Sequence, residues 1–173
     1  MADDTDPETG AADIDPTRML PTAAGPIEAP ARVLVVVAHP DDVDFGAAGT
    51  VAALTNAGSD VAYCIVTSGE AGSDHLTIDA AELQALREEE QTAAAKEVGV
   101  SELHWLHHPD GAVEVTIGLR RDITAVIRRT RPDVIITQSP ERQLDRIFAS
   151  HPDHMAAGEA TLRAVYPDAR NPR

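Results

Sequence analysis

The apolar positions of the chain fall into four short runs separated by amphipathic or polar stretches. Arg32–Ala38 (RVLVVVA) is continuous and β-branched, the signature of a strand covered on both faces. Asp60–Thr67 (DVAYCIVT) repeats that pattern, Glu102–Leu106 (ELHWL) is a shorter third run, and Asp133–Gln138 (DVIITQ) is a fourth. The intervening spacing predicts helices. Phe45–Ala57 stops at Gly58, a helix-terminating residue. Asp79–Val98 has Asp79 as its N-cap and Gly99 as its terminator. Thr116–Thr130 is rich in Arg, and a last helix runs from about His154 to Val165. Ser68–Thr77 and Ser139–Pro152 read as polar loops. The order β-α-β-α-β-α-β-α predicts a doubly wound, mostly parallel α/β sheet, Rossmann-like, with helices on both faces.

Residues 1–30 are different material, Pro-, Asp- and Ala-rich with no periodic apolar face, and read as a disordered acidic tail ahead of a domain over 31–173. With 173 residues there is room for one such domain. Aromatic residues make up only 3%, so the core must be built from Ala, Val, Leu and Ile. Lys plus Arg number 14 against 29 Asp plus Glu, a net charge of −15 that opposes binding to nucleic acid or an acidic membrane face. Arg120, Arg121, Arg128, Arg129 and Arg131 could suggest nucleic acid. On so acidic a chain they read instead as a solvated helix face. The one cysteine, Cys64, allows no internal disulfide and is compatible with a reducing compartment. No apolar run approaches the roughly 20 residues of a spanning helix, and the acidic start lacks a leader pattern. The expectation is a cytoplasmic enzyme or binding domain with a small-molecule ligand, bound to neither nucleic acid nor membrane.

In doubly wound sheets ligands bind beyond the carboxyl ends of the strands, and the unusual residues of this chain cluster there. His39-Pro40-Asp41-Asp42 follows the first strand, His107-His108-Pro109-Asp110-Gly111 the third, and the loop after the fourth ends His151-Pro152-Asp153-His154. Two His and one Asp, here His39, Asp42 and His154, suit a catalytic zinc that keeps one position open, and Fe(II) accepts the same set. The plainer reading makes His39 and Asp42 turn residues and helix caps. Asp41 adjoins the candidate ligands without being needed among them, so it is a candidate general base for the water such a site activates. His151 is also spare, and the Asp153 carboxylate nearby could hold its imidazole in one tautomer. On the helix over 79–98, Arg87 and Glu90 fall on the stripe marked by Leu83, Leu86, Ala94 and Val98. Either they pair with each other on a half-exposed face, or Arg87 reaches the site to hold a polar or anionic substrate and Glu90 steadies it.

These pieces resemble the PIG-L/LmbE-like family of zinc-dependent N-deacetylases. The resemblance rests on Ala38-His39-Pro40-Asp41-Asp42, on Phe45-Gly46-Ala47-Ala48-Gly49-Thr50 and on His151-Pro152-Asp153-His154. Thr67-Ser68-Gly69-Glu70-Ala71-Gly72 and an Arg-x-x-Glu helix ending Val98-Gly99-Val100 add to it. The resemblance implies one Zn2+ on His39, Asp42 and His154, with Asp41 as base. It implies that His151 stabilises the tetrahedral intermediate and that Arg87 and Asp110 contact a sugar. There are departures. Val43 stands where many relatives carry Glu, Ala149 where some carry Tyr, and the Pro140–Arg146 loop differs. Relatives also continue past a segment like Tyr166–Pro172, so the C-terminal portion is expected to be missing. In a 3-2-1-4-5 sheet the fourth strand would then be an exposed edge that favours self-association into a homo-oligomer. The leading function is hydrolysis of an amide C–N bond, N-deacetylation of an N-acetyl amino sugar or its conjugate. The alternative is a truncated, inactive binding or regulatory domain of the same fold. A phosphoacceptor domain would need a Lys after a late strand, and the only Lys is Lys96 within a helix. No G-x-G-x-x-G follows the first strand, which argues against a dinucleotide.

Overall fold

The computed structural model describes residues 29–73 and 78–171. The tail expected over residues 1–30, apart from its last two residues, lies outside the described residues, as do residues 74–77 of the predicted Ser68–Thr77 loop. The four predicted runs form β1 (Arg32–Val37), β2 (Asp60–Ile65), β3 (Glu102–Trp105) and β4 (Val134–Thr137), all parallel in one sheet of order β3-β2-β1-β4. β1 is central, with Val33–Val36 paired to β4 on one side and to β2 on the other, and every residue after Arg32 is buried. Flanking by helices on both faces explains why the strand reads as an unbroken apolar run.

The helices follow the predicted order with shifted ends. Where one helix was expected over Phe45–Ala57, α1 (Asp42–Gly46) and α2 (Ala48–Asn56) meet at Ala47, whose φ of −140° breaks the regular turn. The first begins early because the Asp42 carboxylate accepts the His39 backbone N–H at 2.7 Å and closes the turn leaving β1. α3 (Ala80–Glu97) is capped by the Asp79 carboxylate, which accepts from Ala81 N, and ends before Gly99 at φ +80°. α4 (Ile117–Thr130) is capped by the Thr116 hydroxyl, which accepts from Leu119 N at 3.1 Å. α5 (Pro152–Val165) starts two residues before the expected His154, because Pro152 suits a first helical turn and the His151 ring caps it by accepting from Asp153 N.

Alternate residues of the strands face opposite layers. Val33, Val35, Tyr63 and Ile65 pack with Val43, Val51 and Ala95 of α1, α2 and α3. Leu34, Val36, Ala62 and Cys64 pack with Leu119, Ile123, Ala157 and Ala160 of α4 and α5. Burial raises the Cys64 thiol to about 12, so it is a core residue rather than a nucleophile. Gly158 lets α5 approach the end of β4, where a β-carbon would run into the Gln138 carbonyl. Among the described residues β4 pairs only with β1 and forms the sheet edge, with Val134 partly exposed. No helix of the described residues is long and apolar enough to cross a membrane.

Candidate active site

The strand order reverses between β1 and β4. Connections leaving those two neighbours diverge, and the gap between them is where a doubly wound sheet accepts ligands. The chain places His39-Pro40-Asp41-Asp42 after β1 and His151-Pro152-Asp153-His154 at the end of the connection from β4. Together with the loops after β2 and β3 they enclose a cavity of about 390 Å³. Its lining includes His39, Asp41, Asp42, Arg87, Asp110, His151 and His154, seven of the eight residues singled out from the sequence. The eighth, Asp153, lies beneath it and is buried.

His39 Nδ1, His154 Nε2 and the Asp42 carboxylate form a triangle. The two ring nitrogens are 3.2 Å apart, His39 Nδ1 is 3.4 Å from Asp42 Oδ2, and His154 Nε2 is 3.0 Å from Asp42 Oδ1. Tetrahedral zinc with bonds of about 2.0–2.1 Å separates its ligands by about 3.3 Å. The donor types and their spacing therefore fit a divalent cation. Two other groupings share His39: the three rings of His39, His151 and His154, with centroids 5.0–5.1 Å apart, and His39 with Asp110 and Asp153.

The third grouping is better read as support than as a second cation site. Asp153 Oδ2 already accepts Gly111 N at 2.8 Å and Oδ1 accepts Val113 N at 3.3 Å, while Asp110 Oδ2 accepts Ala71 N at 3.0 Å. What remains points at His39 Nε2, 3.2 Å from Asp153 and 3.1 Å from Asp110. Carboxylates that receive the far N–H of an imidazole fix which nitrogen is free, here Nδ1. The Asp153 carboxylate meets His39, and the His151 ring accepts the Asp153 backbone N–H at 3.2 Å. The reason lies in helix geometry: His151 is the cap of α5, so its ring folds over the first turn while the Asp153 side chain points beneath.

Electrostatics follow from these contacts. Burial works to lower the His39 imidazole, yet Asp42, Asp153 and Asp110 outweigh it and raise the pKa to about 8. Burial works to raise the Asp42 carboxyl, but hydrogen bonds from His154 and His39 hold it well below the usual carboxylate range.

Asp41 stands apart from its neighbour. It adopts a left-handed φ of 80°, uncommon outside glycine, which turns its side chain away from Asp42. Its Oδ2 meets Arg87 Nη2 at 2.9 Å and its backbone N–H is received by Gln91. Arg87 also donates to the carbonyls of Pro40 at 3.1 Å and Gly72 at 3.4 Å. The expected Arg87–Glu90 partnership is therefore replaced by Arg87–Asp41. The buried row of α3 runs Leu83, Gln91 and Ala95 with Arg87 between, so Glu90 falls on an exposed side. Gly69, at φ +71°, and Gly72 leave the room Arg87 occupies: a β-carbon on either would come within 2.8 Å of the guanidinium. Three supporting residues escaped the sequence reading. Gln91 lies four residues from Arg87, a spacing that could have revealed it. Glu70 accepts Asp110 N at 2.9 Å, and Gln138 accepts Ala38 N at 3.0 Å. Both link distant loops and leave no local signal.

The family model of PIG-L, described as GlcNAc-PI de-N-acetylase, matches residues 34–165. The chain belongs to this family. Diacetylchitobiose deacetylase of Thermococcus kodakarensis is 34% identical over 134 residues, covering 78% of this chain and 49% of that protein. A probable N-acetyl-alpha-D-glucosaminyl L-malate deacetylase 2 of Bacillus cereus is 34% identical over 139 residues, covering 78% and 60%. The structure of N,N'-diacetylchitobiose deacetylase from Pyrococcus horikoshii superposes with a TM-score of 0.74 at 30% identity, over 79% of this chain and 49% of that one. The chain thus spans about half the length of these relatives, and its family match over 34–165 includes both of its His-Pro-Asp motifs.

Proposed function

We propose that the domain over residues 31–173 is a metal-dependent amidase that removes the acetyl group from an N-acetyl amino sugar or its conjugate. The observation that carries this reading is the convergence of His39 Nδ1, Asp42 and His154 Nε2 beside the Arg87-paired carboxylate of Asp41 in one cavity. Family membership and the names of the relatives supply the acetylated-sugar class. A Zn2+ or Fe2+ held by His39, Asp42 and His154 would acidify a water and polarise the amide carbonyl. Asp41, half exposed to the cavity, accepts a proton from the attacking water as a C–O bond forms at the acetyl carbon. Arg87 keeps that carboxylate in place. His151, its ring oriented by Asp153 N, stabilises the charge developing on the amide oxygen. Asp41 or His151 then protonates the leaving nitrogen as the C–N bond breaks, giving acetate and an amine. Asp153 holds His39, and Arg87 with Asp110 lines the cavity where the sugar hydroxyls would sit. Self-association through the β4 edge belongs to the same proposal, as does a cytoplasmic setting.

Metal analysis of the purified chain, followed by acetate release from N-acetylglucosamine and its conjugates, tests the proposal. Stoichiometric metal and chelator-sensitive acetate release are expected. A fully metallated chain that releases acetate from none of them would favour the alternative, a binding domain of the same fold.

A further inference from the structure

A second cleft, of about 380 Å³, lies between α4 and the C-terminal turn over Asp168–Arg170, and shares no lining residue with the cavity around His39. It uses the Arg-rich helix face for which the proposed hydrolysis has no role. Arg120, Thr124 and Arg128 line it at the i, i+4 and i+8 spacing of a single helix face, and Arg121 lies beside Arg120. Asp168 is the one acid in the lining, and it is taken up by Arg120 in a bidentate pair of 2.9 and 2.7 Å. Among the described residues, Arg128 donates to the backbone carbonyls of Asp168 and Asn171. Arg121 touches Asp122 at 3.4 Å, and Asp122 is shared with His108 at 3.2 Å. The Thr124 hydroxyl is buried with no hydrogen-bond partner among the described residues, and a buried polar group left unsatisfied is costly. On a chain of net charge −15 this is a local concentration of positive charge.

We propose that this cleft binds a phosphate monoester or inorganic phosphate. Two guanidinium groups not neutralised within the cleft match a dianion better than a carboxylate, and their planar forks suit phosphate oxygens. Threonine has two accessible χ1 rotamers in helices, so the Thr124 hydroxyl can turn to donate to one of those oxygens. Exposed Ile117 at the rim gives an apolar surface for the organic part of an ester.

The test is a titration of the 15N-labelled chain with inorganic phosphate, and with acetate at matched ionic strength, read by amide shifts. Saturable shifts over residues 117–128 and 168–171, with a Kd of about 1 mM or tighter, are expected for phosphate alone. Arg121→Gln and Arg128→Gln should each weaken binding roughly tenfold or more, the loss of a charge-assisted hydrogen bond. Arg129→Gln, on the same helix but outside the lining, should not. Should Arg128→Gln unfold the C-terminal turn, Arg121→Gln decides, because that side chain is 78% exposed and only lightly held. The proposal is overturned if phosphate gives no saturable shift, if shifts appear only around residues 39–42 and 151–154, if Arg129→Gln weakens binding equally, or if acetate binds as well.

Discussion

Helices α3 and α4 flank opposite faces of the same sheet and are stabilised in different ways. α4 has 14 residues and buries Leu119, Ile123, Thr124, Val126 and Ile127. α3 has 18 and buries only Leu83, Gln91 and Ala95. At about 1.5–3 kcal/mol per large apolar side chain, α4 contributes far more to the core. α3 instead turns polar residues toward the loops of the candidate site: Arg87 to Asp41, Gln91 to Asp41 N, and Glu88 to Ser68 at 2.6 Å. A weak apolar stripe can therefore mark a helix whose inner face serves a polar site.

The sharpest way to break this contrast is at the turn α3 supports. Asp41→Asn should keep the metal but lower kcat/KM by about 10²–10⁴-fold, roughly 3–5 kcal/mol of barrier, whereas Asp42→Ala should lose metal and activity together. Metal content and kcat/KM on both variants check this. Retention of metal by Asp42→Ala with its loss from Asp41→Asn would reverse the two roles. In the core, Ile123→Ala should cost about 2–5 kcal/mol in denaturant unfolding and leave metal affinity unchanged. A cost below about 1 kcal/mol would mean that α4 is not the anchor described.

Arg87→Ala should reverse that pattern. Its pair with half-exposed Asp41 adds little stability, so unfolding should shift by less than about 1 kcal/mol while kcat/KM falls roughly 10–100-fold. A large stability loss with normal kinetics would assign Arg87 to the scaffold. A separate effect is expected in pH dependence. A cation competes with a proton for His39, whose pKa is raised to about 8 by Asp42 and its neighbours. Apparent zinc affinity should then approach a tenfold fall per pH unit below about 8 from this group and gain nothing from it above. Chelator-competition titrations from pH 6 to 9 check it, and a flat profile between 6 and 8 would remove the raised pKa from the account.

Local pattern determined much of this protein. The β-branched runs at Arg32–Ala38 and Asp60–Thr67 announced buried parallel strands, Asp79 and Gly99 bounded α3, and the two His-Pro-Asp motifs located the candidate site, because burial and capping act over a few neighbouring residues. What only the tertiary structure decided involves partners far apart in the chain. Arg87 meets Asp41 rather than Glu90 because the row that α3 turns inward passes under the β1 turn, 46 residues away. The Asp153 carboxylate turns to His39, 114 residues away, because the loop carrying Gly111 and Val113 clamps it from below. Adjacent Asp41 and Asp42 part company through one left-handed backbone angle that no residue type there demands. Periodicity reports which side of an element is covered. Which group covers it is settled by the packing of elements that are remote in sequence.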